Sequence, residues 1–318
     1  MEPVNDKWDI EHLREHLQYA VDLEFWTLPF YLSAMYSIQD RTSKPYQLIR
    51  TVVNQEMLHL QCAANVANAY GLSPSFAAPT YEGTTVPHLD FSGDDPQEVK
   101  EFSPYTAEIG PLDDEHVNAM CLIEIPEDLT GEPPALDQDV TAYGSIGQFY
   151  QAVEFGAAQL RGQLRGGVRQ VGHFGAAYRN APSLVVTESG QAGFDQARLL
   201  LDLITDQGEG IGRDNRGVLP VFQNTADDIS PGEDHFDKFR QIKYNPPLPE
   251  VFTAKPAKQY TPEDLALQAN LVERFTALRA ALTALFAGQS PAEFFPIMAG
   301  VGAAIRNCWA HGVTPKFS

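Results

Sequence analysis

Gln55-Glu56-Met57-Leu58-His59-Leu60 lies in a run where Ile49, Val52, Glu56, His59, Ala63, Val66 and Tyr70 recur at steps of three or four. That spacing predicts one helix face, from about Pro45, suited to a first turn, to Gly71, suited to a C-terminal cap. Glu56 and His59 then project from the same side and can reach one ion or two neighbouring ions. Most Glu-x-x-His pairs are solvated surface pairs. This one sits on the apolar stripe, where a carboxylate must be protonated, paired or metal-bound, because burying it bare is costly.

Upstream, Leu13, Leu17, Ala20, Glu24, Leu28, Tyr31, Met35 and Ile38 trace a second such face and predict a helix from about Trp8 to Ile38. Glu24 falls within this face; taken alone, it reads equally as half of a buried salt bridge. Pro29 removes a backbone donor and predicts a kink or bulge one turn back, near Glu24. Downstream, Leu72 to Tyr143 is rich in Pro, Gly and Asp and predicts loops with one helix around Asp113 to Glu124. A segment this long usually covers or shapes a functional site.

A third bundle helix opens at Ser145-Ile146-Gly147-Gln148, a capping-box pattern, and continues through Phe149, Tyr150, Val153, Glu154, Ala157 and Leu160. A fourth runs from about Phe194 through Leu200, Leu201 and Ile204 to Gln207-Gly208-Glu209-Gly210. Helical spacing resumes at His235, Phe236, Phe239 and Ile242. Beyond the Pro-rich stretch Asn245 to Pro256, two more helices are expected, Pro262 to Phe286 and Pro291 to His311. Strand-like alternation is scarce and no internal repeat is visible, so the fold class is all-α.

Each remaining candidate has a plain structural reading. Glu154 fits a surface position at the edge of its stripe, Gly-Glu-Gly around Glu209 is also a turn sequence, and a lone histidine such as His235 is commonly a satisfied core residue. The same holds for His12, His16, His88, His116, His173 and His311. The combination carries the weight: Glu24, then Glu56 with His59, then Glu154, then Glu209 with the later His235. Di-iron and di-manganese carboxylate bundles use such a set, two Glu-x-x-His helices and two single-Glu helices. Here the fourth helix lacks a compact Glu-x-x-His, so the chain must double back to deliver His235.

Leu13-Arg14-Glu15-His16-Leu17-Gln18 leading to Leu23-Glu24 and Thr27-Leu28-Pro29, then Gln55 to Leu60 and Asn65 to Gly71, are similar to the first two helices of a known family. Ile123-Glu124-Ile125-Pro126, Ile146-Gly147-Gln148-Phe149-Tyr150, Gln207-Gly208-Glu209-Gly210 and His235-Phe236 continue the match in order. The chain resembles the ferritin-like domain of the iminophenyl-pyruvate dimer synthase type, found in enzymes of violacein and rebeccamycin biosynthesis, over roughly residues 8 to 310. The dimer synthases are much longer chains. The resemblance implies a ferritin-like four-helix bundle with a long insertion between its second and third helices, additional C-terminal helices, and redox chemistry on a small, amino-acid-derived molecule. One domain over residues 1–318 is expected, with a bundle at about 8–245 and a helical extension at about 257–312.

The implied function is that of a dinuclear metal-dependent oxidoreductase acting with dioxygen or peroxide on a small substrate. Oxygen-rich ligands suit two iron ions first, with manganese, copper or zinc as alternatives. Glu24 and Glu154 are expected as terminal ligands, Glu56 and Glu209 as bridging ligands, and His59 and His235 as the imidazoles. Trp26, Tyr31 and Tyr150 serve either to pack or to line the pocket; Glu124 and His16 receive no assigned role. The alternative is metal binding or storage without turnover, against which the long insertion and the C-terminal pair argue.

Bulk properties narrow the partners. Among 318 residues, 22 basic against 42 acidic side chains leave a net charge of −20, which repels nucleic acid and anionic membranes. Hydrophobic residues at 43% suffice for a large core, and no apolar run spans a bilayer. Cys62, Cys121 and Cys308 lack a zinc spacing and read as reduced buried thiols. The acidic start Met1-Glu2-Pro3-Val4-Asn5-Asp6 has no signal-peptide pattern, so a cytoplasmic protein is expected. Assembly into a homo-oligomer is left open.

Overall fold

The computed structural model describes residues 8–91, 100–130, 136, 139–141, 143–177, 183–210, 217–223 and 228–318. The start Met1 to Asp6, parts of the insertion and part of the glycine-rich loop after Gly210 lie outside these residues. Within them are eight α-helices and no β-strand; outside the helices, isolated bridges pair Ile38 with Val251 and Leu89 with Tyr143. The expected all-α class is found.

Helix α1 spans Ile10–Ser37, capped by Asp9, whose carboxylate accepts from the His12 N–H. The helix is continuous through Pro29, with helical residues on both sides, almost all of them buried. Pro29 has no N–H to donate to the Phe25 carbonyl, and the Thr27 hydroxyl donates to the neighbouring Glu24 carbonyl in the turn before the proline. Helix α2 spans Lys44–Ala69, with Pro45 in its first turn and Gly71 just beyond its end in the left-handed region at φ 78°. A short loop joins the two, and they pack against each other along their length.

Helix α3, Asp114–Ile123, is the one helix expected inside the insertion; Asp113 caps its start and Glu124 stands at its C-terminal cap. Helix α4, Ile146–Gln159, is capped by Ser145 as the sequence predicts. The reciprocal half of the capping box differs: the Gln148 side chain accepts from the Gly144 N–H rather than from Ser145. Helix α5 spans Gly190–Gly208, α6 His235–Lys243 with Asp234 as its cap, α7 Pro262–Phe286 and α8 Phe294–Ala310. The last begins three residues later than Pro291 suggests.

Helices α1, α2, α4 and α5 form the four-helix bundle: α2 packs on α5, α5 on α4, and α4 on α1. The insertion returns α3 against α6, which itself packs on α2 and α5, while α7 and α8 pair and α8 lies on α1. Buried polar side chains tie the loops to this frame. The Asn65 amide donates to the Val171 and Leu184 carbonyls and accepts from the Val171 N–H, satisfying backbone groups that the covering loop would otherwise bury unpaired. No helix of the described residues is long and apolar enough to cross a membrane. The three cysteines are buried and form no disulfide.

Candidate metal centre

Glu56 is the middle of the site. The apolar periodicity of α2 turns it and His59 inward, and its Oε1 lies 3.0 Å from His235 Nδ1 and 3.6 Å from His59 Nδ1. His59 Nδ1 is in turn 3.6 Å from Glu24 Oε2 on α1, and His235 Nδ1 is 3.5 Å from Glu124 Oε2 at the end of α3. The two imidazoles stack with centroids 5.2 Å apart. Glu24, Glu56 and His59 are each 2% exposed, Glu124 1% and His235 0%, so three carboxylates and two imidazoles share a site closed to bulk water.

The opposite edge of every group is already engaged. The Tyr150 hydroxyl donates to Glu24 Oε1 at 2.6 Å, the Tyr31 hydroxyl to Glu124 Oε1 at 2.7 Å, and the Thr27 hydroxyl to Glu56 Oε2 at 2.7 Å. His59 Nε2 lies 2.9 Å from Gln207 Oε1 and His235 Nε2 lies 3.1 Å from Gln55 Oε1. The Gln207 amide nitrogen donates to the Phe222 carbonyl, which turns its oxygen toward the imidazole. Each Nε2 therefore carries a proton, and each Nδ1 is the nitrogen turned toward the carboxylate oxygens, where it can take up a second proton or a metal ion.

Lone pairs facing carboxylates in a low-dielectric interior repel unless a cation lies among them. Protons can play that part. Burial lifts Glu24 to about 7, against the pull of His59. Burial disfavours the charged form of His59, but Glu24 and Glu56 outweigh it and raise the imidazole to about 10. Burial also works against Glu56, yet the two imidazoles hold it well below the usual carboxylate range. Burial, then the adjacent carboxylates, keep the phenols of Tyr31 and Tyr150 protonated as donors. A metal ion suits the geometry better than a proton: His235 Nδ1 is buried and, despite its 3.0 Å approach to Glu56, makes no aligned hydrogen bond. Glu56, His59 and His235 each offer a donor atom, all within 4.8 Å of one another, the spacing of groups that hold an ion.

Of the expected ligands, the structure brings Glu24, Glu56, His59 and His235 together. Glu209, expected to bridge, caps α5 beside the cluster. Its carboxylate accepts from the Gly147 N–H and, at 3.0 Å, from the Glu127 N–H. The unsatisfied first-turn amides of α4 draw it there, and Gly147 has no side chain to block the approach. Burial nonetheless raises its carboxyl well above the usual range, with Glu124 among the neighbouring charges.

Glu154, expected as a terminal ligand, is not brought to the cluster. It is half-buried one turn past Tyr150, with Asp202 and Arg198 of α5 as its charged neighbours. Periodicity puts it on the stripe but one turn too far along; at the position where a ligand is wanted, α4 offers the Tyr150 hydroxyl. The further carboxylate is Glu124, whose signal was its isolation as the one charged residue between Cys121 and Pro126. Gln55, Gln207 and Thr27, present in the sequence motifs, had no role assigned to them, since amides and hydroxyls on a buried face carry no distinctive spacing. His16 lies elsewhere, between the His12 carbonyl and the Tyr143 hydroxyl, and the Trp26 indole donates to the Thr80 carbonyl.

The comparisons with known proteins agree with this architecture. A family model described as ferritin-like matches residues 17–244, which include Glu24, Glu56, Glu124, Glu209 and both imidazoles. The crystal structure of a ferritin-like protein from Caulobacter vibrioides is similar at 44% identity and a TM-score of 0.85, covering 98% of this chain and 99% of that one. No curated protein matches the chain. A helix bundle that closes over buried carboxylates and imidazoles, matched over most of its length, makes this chain a member of the ferritin-like family.

Proposed function

We propose that the cluster holds two metal ions, iron first among them, and that the protein is an oxidoreductase that uses dioxygen or peroxide on a small, amino-acid-derived molecule. One observation carries the reading: Glu56 faces two imidazoles, and each imidazole faces a further carboxylate of its own. In this reading Glu56 would be shared by both ions, Glu24 and His59 would hold one, and Glu124 and His235 would hold the other. Glu209 would stay on the backbone amides of Gly147 and Glu127. The ordered motifs shared with the iminophenyl-pyruvate dimer synthase type support the choice of substrate class.

Iron bound by these residues would supply the electrons that reduce dioxygen or peroxide, shared between two ions. The chain's own groups set the conditions. Gln55 and Gln207 fix the imidazole tautomers and orientation. Tyr31 and Tyr150 hold protons on the outer oxygens of Glu124 and Glu24, tempering their charge, and complete burial keeps bulk water from the site.

Metal analysis of the purified protein should give about two ions per chain. Anaerobic ferrous protein, exposed to oxygen, should consume it in a sustained way only when an amino acid or a derived 2-oxo acid is present. Accumulation of iron far beyond two per chain, with no dependence on an organic molecule, would replace the enzyme reading with storage.

A further inference from the structure

A cavity of about 250 Å³ lies where the C-terminal pair α7 and α8 meets α1 and α2. It uses a different face of the first two helices from the metal cluster: Phe25 and Leu28 rather than Glu24 and Thr27, Val53 and Met57 rather than Glu56 and His59. Those residues are about a third of a turn around each helix. No residue of the cluster lines it.

The cavity is polarised along its length. Its deep walls are apolar and buried, with Phe25 and Leu28 facing Phe275, Leu278 and Leu282 of α7. Toward the joint between α1 and α2 the lining becomes polar: Tyr36, Tyr46 and Arg50 gather there, the two phenol rings 6.4 Å apart. Arg41 and Arg306 both act on Tyr36, and the Arg306 guanidinium donates to the Tyr36 carbonyl. Gly302 of α8 makes room for this end, since a Cβ there would come within 2.6 Å of Tyr36 Oη. Arg50 is the one charged residue that lines this cavity, at the end where the two phenols gather.

Apolar walls exclude water, and a cavity of ~150 Å³ suffices for benzene, so this one accommodates an apolar body of roughly eight to ten carbon atoms. A guanidinium at the rim pairs with a carboxylate through parallel hydrogen bonds. We propose that this cavity is a binding site for a small organic monocarboxylate, its hydrocarbon against Phe25 and Leu278 and its carboxylate toward Arg50. The site is separate from the metal cluster and does not rest on the redox reading.

Decanoate titrated calorimetrically into the metal-loaded full chain is the probe, with 1-decanol as its uncharged counterpart. One decanoate should bind per chain, about tenfold more tightly than decanol. Arg50→Gln should remove that preference by weakening decanoate about tenfold while leaving decanol and the metal content unchanged. Leu32→Trp, at the half-buried wall, and Ala299→Trp, at the exposed rim, should each weaken both ligands by filling the space. The proposal is overturned if decanoate shows no saturable binding up to about 1 mM, if decanol binds as tightly, or if binding survives both the Arg50 and the tryptophan variants undiminished.

Discussion

The two sides of the cluster present the same chemistry from unlike supports. On one side, Glu24 and His59 project from the interiors of α1 and α2, helices of 28 and 26 residues packed along their length. On the other, Glu124 stands at the end of a 10-residue helix and His235 at the start of a 9-residue one. Yet each imidazole shares Glu56, each reaches one outer carboxylate, each is held by a glutamine amide, and each outer carboxylate accepts from a tyrosine. Equivalent first contacts therefore do not require equivalent scaffolds. A long helix fixes a side chain through the packing of its neighbours; a helix end fixes one through its cap, which is a weaker constraint.

The sharpest test of this pairing is Glu56→Ala. It removes the one group common to both sides, so metal analysis should show loss of essentially all bound metal; retention of one ion would mean that the sides are independent. Next comes Glu124→Ala, expected to lower the content from about two ions to about one, whereas Glu154→Ala should leave it unchanged. A reversed outcome would return Glu154 to the site and unseat Glu124.

Proton competition should follow. His59 is raised from 6.5 to about 10 by its carboxylates, so its charged form stabilises the metal-free fold fully below about pH 6.5. That contribution is lost as the pH climbs toward about 10. A metal ion must displace this proton, so ferrous or manganous affinity should rise across the same window, with proton release measurable by calorimetry in buffers of different ionisation enthalpy. A flat profile would contradict a proton held on His59 between its two carboxylates.

Smaller effects separate the supports. Gln207→Leu should weaken metal binding by about 10- to 100-fold through the His59 side alone. Asp234→Ala removes the cap of α6, whose carboxylate accepts from the Asp237 N–H. It should cost about 1 kcal/mol in a denaturant titration. If the helix-end side is the looser one, the same change should also weaken the ion at His235, while the ion at His59 is unaffected.

Legibility followed the same division. Glu24, Glu56 and His59 could be read directly, because an ionisable residue on an apolar stripe of regular spacing is conspicuous. His235 was visible as a residue of the right type where helical spacing resumes, though nothing local said which way the chain would carry it. Glu124 fell at a helix end, where periodicity stops, and Glu154 showed that a residue on the inward stripe can still be one turn removed from the chemistry.

The sequence by itself determined the helices, their caps, their inward faces and the carboxylate–imidazole character of the centre. Those depend on neighbours within a few residues along the chain. Only the tertiary structure decided that Glu124 rather than Glu154 meets His235, that Glu209 is taken up by the backbone of α4, and that a cavity polarised from hydrocarbon to arginine lies behind α1 and α2. These are contacts between segments far apart in sequence, set by how the bundle and its insertion pack, and short-range spacing carries no record of them.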